Sequence, residues 1–185
     1  MRAIPFGLPA QATSSDSNGS NGLSPCLRWL VRRGTPSPSD LTGMQAALRL
    51  ARAGSVREEV PVGAVIMADG DILAEAHNET VQRRDPTAHA ELLALQQALQ
   101  RVSEDRLPLA TLYVTLEPCA QCAGAIVLAK VGRVVFGAYD SRCGMAGSVY
   151  DLLRNPRTNH RPEVVGGLMA EECGDLLKRF FLSMR

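Results

Sequence analysis

The stretch HAELLALQQALQ, residues 89–100, opens with a histidine and a glutamate two apart, and EPCAQC, residues 117–122, carries two cysteines three apart behind a proline. A chain with only three histidines and five cysteines thus places an imidazole, a carboxylate and two thiols in two short motifs. Two thiolates with one imidazole are a common zinc donor set, favoured by the softness and tetrahedral preference of the ion. Cys119 and Cys122 stand at the start of a predicted helix. Side chains three apart share one side there, and the positive end of the helix dipole favours thiolates. The chemistry this assembles is a zinc site that ionises water, with Glu91 moving the protons. His89, Cys119 and Cys122 are the expected ligands, for one Zn2+ per chain.

Each piece alone is ambiguous. A single C-x-x-C is also a redox pair or half of a four-cysteine structural site. No second C-x-x-C occurs, so a closed four-ligand site has to recruit Cys143, His77 or His160. A lone histidine is more often a cap or a buried side chain, and a glutamate two residues on is often a surface charge. On an ideal helix, residues 89 and 91 point about 200° apart, so they converge only where the helix opens irregularly or faces the metal end-on. The combination is more specific. H-A-E, a gap and then P-C-x-x-C is the signature of zinc nucleobase deaminases.

The elements that must position these groups are readable from pattern. MQAALRLARAG, 44–54, reads as a helix closed by Gly54. VPVGAVIM, 60–67, and ILAEAH, 72–77, read as a hairpin turning at Asp69-Gly70. Asp85-Pro86 offers a cap and a first-turn proline for the next helix, with Leu92, Leu95, Leu99 and Val102 on one face. TLYVTL, 111–116, is a strand; a helix from Cys119 to Lys130 buries Ala123, Ile126 and Val127. VGRVVFGAY, 131–139, is a strand, and EVVGGL, 163–168, a fifth strand or a bent connector. The last helix carries Cys173, Leu176, Leu177, Phe180 and Phe181 at helical spacing. This order implies an α/β fold, a mixed sheet with helices on both faces.

Composition bounds the rest. The 185 residues carry a formal charge of +1, too little for a general polyanion binder. Arg133, Arg142, Arg154, Arg157 and Arg161 cluster and form either a local basic patch or a solvated surface. An odd number of cysteines fits a reducing compartment better than a secreted disulfide framework. Cys173 reads as a buried small hydrophobe, and Cys26 lies in the leading segment. No run of apolar residues is long enough for a membrane helix. Residues 1–41 are rich in Ser, Asn, Gly and Pro and read as a disordered extension. CLRWLVRR, 26–33, is a candidate transient helix there. The basic, Ser-rich start faintly resembles a transit peptide, and Met44 is a candidate true start.

The chain resembles the bacterial tRNA adenosine deaminases that convert the wobble adenosine to inosine. EVPVGAVI (59–66), HN (77–78), DPTAHAE (85–91), ATLYVTLEPCAQCAGAI (110–126), GRVVFGAYDSRCGMAGS (132–148) and NHRPEV (159–164) carry the likeness, with the closing EECGDLLKRFF, 171–181. The resemblance covers residues 42–185 as a deaminase domain. It implies a cytidine deaminase-like three-layer sandwich with a mixed five-stranded sheet flanked by helices. It also implies a cytoplasmic homodimer and a tRNA anticodon stem-loop as partner. By matching position, His89, Cys119 and Cys122 hold zinc and Glu91 shuttles the proton. Asn78 meets the flipped base, Val62, Ala90 and Pro118 line the pocket, and Asp140 contacts substrate. Tyr139 departs from the family, where arginine is frequent, and the chain carries no lysine-rich tail. The zinc motif is shared with deaminases of free bases and nucleosides, which remain an alternative, as does a non-catalytic zinc module.

Overall fold

The computed structural model describes residues 37–184; the expectations for the segment ahead of Ser37, Cys26 included, lie outside the described residues. The elements are α1 (Pro38–Val56), β1 (Gly63–Ala68), β2 (Asp71–His77), α2 (Ala90–Val102), β3 (Thr111–Leu116), α3 (Ala120–Leu128), β4 (Arg133–Ala138), β5 (Glu163–Gly166) and α4 (Ala170–Ser183). One five-stranded sheet runs in the order β2-β1-β3-β4-β5. β1 is antiparallel to both β2 and β3, while β3, β4 and β5 are parallel. This is the mixed sheet between helices that the sequence implies. Among the described residues no helix is long and apolar enough to cross a membrane.

Side chains on a strand alternate between faces, so a strand covered on both sides reads as an unbroken apolar run. β3, β4 and β5 show this directly. Val65, Tyr113, Val135 and Val165 are paired across the sheet and pack against Met44, Ala47 and Leu48 of α1 and Cys173 of α4. The neighbouring row, Ile66, Leu112, Val134 and Val164, joins the other core with Leu93, Ala94 and Ala98 of α2 and Ala123 and Ile126 of α3. Gly63 lets α1 approach β1 closely, since a Cβ there would stand 2.0 Å from the Ala47 carbonyl oxygen.

Three boundaries and one helix face depart from the sequence reading. α1 opens at Pro38, ahead of the expected domain start, because Asp40 is held inside the protein by Arg133 and Tyr113. It also continues past Gly54. The residue that unwinds it is Glu58, in the left-handed region at φ 61°, with Arg57 N and Glu59 N both donating to the Gly54 carbonyl. Asp85 does not start a helix; its Oδ1 accepts from Thr87 N at 2.8 Å and closes a turn. α2 buries Leu93, Ala94, Leu95 and Ala98, while Leu92, Leu99 and Val102 are only partly covered. Alanines carry much of the stripe, so a count of leucines misplaces it by a fraction of a turn.

Candidate metal centre

β3 ends at Leu116, and its chain passes through Glu117 and Pro118 into α3. α2 opens on the same side of the sheet, so two helix N-termini meet there. His89 stands just outside α2 with extended backbone, φ −75° and ψ 149°, and Glu91 is the second helical residue. This is the irregular opening that convergence requires: a non-helical step at His89 replaces the regular 100° turn. Cys119 is the corresponding residue before α3, at φ −75° and ψ 178°, and Cys122 lies in the first turn.

His89 Nδ1 is 3.5 Å from the Sγ of both Cys119 and Cys122. The three donor atoms lie within 4.8 Å of one another. Zinc bonds of about 2.0–2.1 Å to nitrogen and about 2.3 Å to sulfur, at a tetrahedral angle, set an N···S separation of about 3.5 Å. The donors therefore stand at the spacing such an ion needs. The electrostatics agree. The hydrogen bond from the Cys122 thiol, followed by that from His89, holds Cys119 down to about 4. The same bond and burial push Cys122 far up. The pair thus keeps one thiolate and one proton, and a cation is what displaces that proton. His89 is raised, foremost by its bond to Cys119.

Glu91 is 4% exposed. Burial lifts its carboxyl to about 6, and it meets the Cys122 thiol. A buried carboxyl poised near neutrality beside a three-donor cage is suited to accepting and returning a proton. Asn78 is buried as well, and its Oδ1 accepts from Ala90 N at 2.9 Å, on the peptide between His89 and Glu91. The side-chain NH2 is then the group Asn78 has for a ligand. Val62 is buried and accepts from Asn78 N at 3.1 Å. Ala90 and Pro118, which follow His89 and precede Cys119 in sequence, are buried.

Residues 39–185 match the MafB19-like deaminase family. The tRNA-specific adenosine deaminase of Bacillus subtilis (strain 168) is 48% identical over 144 residues, 77% of this chain and 88% of that protein. The chain belongs to the tRNA-specific adenosine deaminases. A solved tRNA:A34 deaminase, studied for A-to-I editing at the wobble position, superposes with a TM-score of 0.71 at 40% identity, over 74% of this chain and 99% of that one. A guanine deaminase from Nitrosomonas europaea shares the fold, with a TM-score of 0.67 at 23% identity over 91% of this chain and 98% of that one.

In this deaminase the remaining candidates fall elsewhere. His77 and His160 are engaged with the backbone, His160 Nε2 lying 2.7 Å from Val131 O. Cys143 is exposed, and Cys173 is buried, its thiol pushed up to about 11 by burial. Among the described residues only His89, Cys119 and Cys122 form a metal-competent group. Asp140 is not one of the three clustered donors. It faces a groove of about 480 Å³ with Leu116, Tyr139, Arg142, Leu177 and Phe181. Its Oδ1 accepts from the N–H groups of Arg142 and Cys143. The arginine cluster is divided: Arg133 pairs with Asp40 and Glu163, and Arg154 with Asp151, while Arg142, Arg157 and Arg161 are exposed.

Three organising residues escaped the sequence reading. Glu59 is fully buried and accepts from Val81 N, Gln82 N and the Thr80 hydroxyl; these bonds outweigh burial and lower its pKa. Glu117 collects donors from residues 140–148. Gln121, inside the C-x-x-C, donates to Thr87 O at 2.8 Å and ties α3 to the chain ahead of His89. For the two glutamates the available signal is a carboxylate near the end of an element, and any surface glutamate shares it.

Proposed function

We propose that this chain is a zinc enzyme that hydrolyses adenosine to inosine at the wobble position of a tRNA anticodon loop. The observation that carries the reading is a cage of three protein donors, with no fourth among the described residues, and the buried Glu91 beside it. Structural zinc sites are closed by four protein ligands, whereas catalytic ones keep a position for water. The 48% identity to a tRNA-specific adenosine deaminase supports adenosine in tRNA as the substrate. One Zn2+ per chain and a cytoplasmic homodimer follow from the same resemblance.

When bound, zinc held by His89, Cys119 and Cys122 acidifies a coordinated water. Glu91 takes the proton as oxygen adds to the ring carbon bearing the amine, and delivers it to the adjacent ring nitrogen. It then carries the hydroxyl proton to the amine, the C–N bond breaks, and ammonia leaves with inosine behind. The Asn78 NH2 holds the purine edge, and Val62, Ala90 and Pro118 wall the pocket. The base must leave its stack, which costs a few kcal/mol and less in a loop than in a duplex. Asp140 and the exposed Arg142 meet the flanking ribose and phosphates, where RNA recognition gains much of its affinity.

Incubating the zinc-loaded protein with an anticodon stem-loop bearing a wobble adenosine should yield inosine. Glu91→Gln should retain one zinc per chain and form none. Turnover of guanine or free adenosine without RNA, and none on the stem-loop, would replace this reading with a free-base or nucleoside deaminase.

A further inference from the structure

His77, the last residue of β2, is 8% exposed and takes no part in the cage. Both ring nitrogens are engaged. Nε2 lies 3.2 Å from Arg57 Nη1, and Nδ1 lies 2.7 Å from the Asn78 carbonyl oxygen. A guanidinium only donates, so Nε2 accepts; the ring proton therefore sits on Nδ1 and is donated to Asn78 O. The ring is seated over Gly54 of α1. A Cβ at that glycine would stand 3.3 Å from His77 Cβ and Cγ, so the ring occupies the room a side chain would need. Arg57, one helical turn on, closes over its outer edge. α1 thus grips the imidazole from two sides, and its prolongation past Gly54 is what brings Arg57 into reach.

The grip is passed to Asn78. Asn78 N donates to Val62 O, its carbonyl accepts from His77, and its Oδ1 accepts from Ala90 N. Holding the carbonyl fixes the peptide plane after Asn78 and with it the direction in which the carboxamide leaves the backbone. We propose that His77, clamped between Gly54 and Arg57, is a positioning residue that orients the Asn78 amide toward the target adenine. This rests on the reading of Asn78 as the group that meets the base.

The test compares two anticodon stem-loops, one with adenosine and one abasic at the wobble position, titrated against zinc-loaded protein carrying Glu91→Gln so that no turnover occurs. His77→Phe keeps the ring and removes both hydrogen bonds. His77→Asn keeps a donor at the Nδ1 position. The Phe variant should bind the abasic loop as the parent does and lose about tenfold on the adenosine loop; the Asn variant should recover most of that loss. In the Glu91 enzyme, His77→Phe should raise KM more than it lowers kcat. Equal loss on both loops, no loss on the adenosine loop, or no recovery with Asn overturns the assignment. Should the Phe variant fail to fold, Arg57→Met must reduce adenosine preference about threefold, and an unchanged preference overturns it. Asn78→Ala separates the two readings. Preference for adenosine that survives Asn78→Ala removes the base-reading role of Asn78, whereas preference lost there but kept in His77→Phe removes only the role of His77.

Discussion

At Glu91 the demands of chemistry and of folding oppose each other. Burial raises the carboxyl from an ordinary 4.5 to about 6 in the metal-free protein. A group whose folded pKa exceeds its unfolded value favours the folded state fully below the unfolded pKa, where it is protonated in both states. That contribution is lost as pH rises through the folded pKa. About 1.5 units corresponds to about 2 kcal/mol. Glu91→Gln stays neutral throughout, so its stability advantage over the parent should grow by about 2 kcal/mol between pH 4 and pH 7. Urea denaturation of the chelator-treated proteins measures this, and a pH-independent difference would show that Glu91 titrates as an ordinary carboxyl. For catalysis the sign reverses, because a base must be ionised. kcat/KM should rise with pH through the pKa of Glu91 and then level. The bound cation draws that value down, which places the acid limb at or below about pH 6.

At the scale of elements, the loop after β4 depends on one buried carboxylate. Glu117 accepts from Asp140 N at 3.0 Å, Ala146 N at 2.9 Å, Ser148 N at 3.1 Å and the Ser148 hydroxyl. Four donors converge on two oxygens, so Glu117→Gln turns an NH2 toward groups that can only, or already, donate. Unsatisfied buried donors cost about 1–3 kcal/mol each. The variant should lose about 2–3 kcal/mol of stability, keep its zinc, and show faster amide exchange across residues 140–148. KM for the stem-loop should rise, since Asp140 sits on that loop. Unaltered exchange there would mean that backbone bonds alone hold it. This dependence was invisible in the sequence, where Glu59 and Glu117 read like any charged residue beside a strand. The strands themselves were legible, because β3, β4 and β5 are covered on both faces and leave unbroken apolar runs. The meeting of two thiols was legible too, because Cys119 and Cys122 sit at a spacing that a helix start converts directly into proximity. What spacing does not encode is the bend at His89 or the left-handed Glu58, since each is fixed by partners distant in the chain.

Across the whole molecule, α1 spans the sheet from its edge strand β2 to β4. Its last turn grips His77 at the end of β2, and its first turn places Asp40, fully buried, against Arg133 at the start of β4. Burial alone would raise Asp40, but the bonds from Arg133, Ser37 N and Tyr113 outweigh it and lower its pKa. A lowered carboxyl contributes stability above its unfolded pKa, ordinarily 3.8, and loses it as pH falls through the folded value. Arg133→Met leaves that carboxylate buried without its cation and should cost about 3 kcal/mol at pH 7. The difference from the parent should vanish only once pH has fallen through the lowered folded pKa of Asp40, because the buried carboxyl is then neutral in both proteins. The same pair bears on the candidate start at Met44. A chain begun there lacks Asp40 and leaves Arg133 with Glu163 alone among these acidic partners. It should unfold at lower urea than a chain begun at Ser37, by a margin close to that of Arg133→Met, and adding Arg133→Met to the shorter chain should cost little more. If the two changes instead add in full, the first turn of α1 stabilises the fold through contacts other than this ion pair.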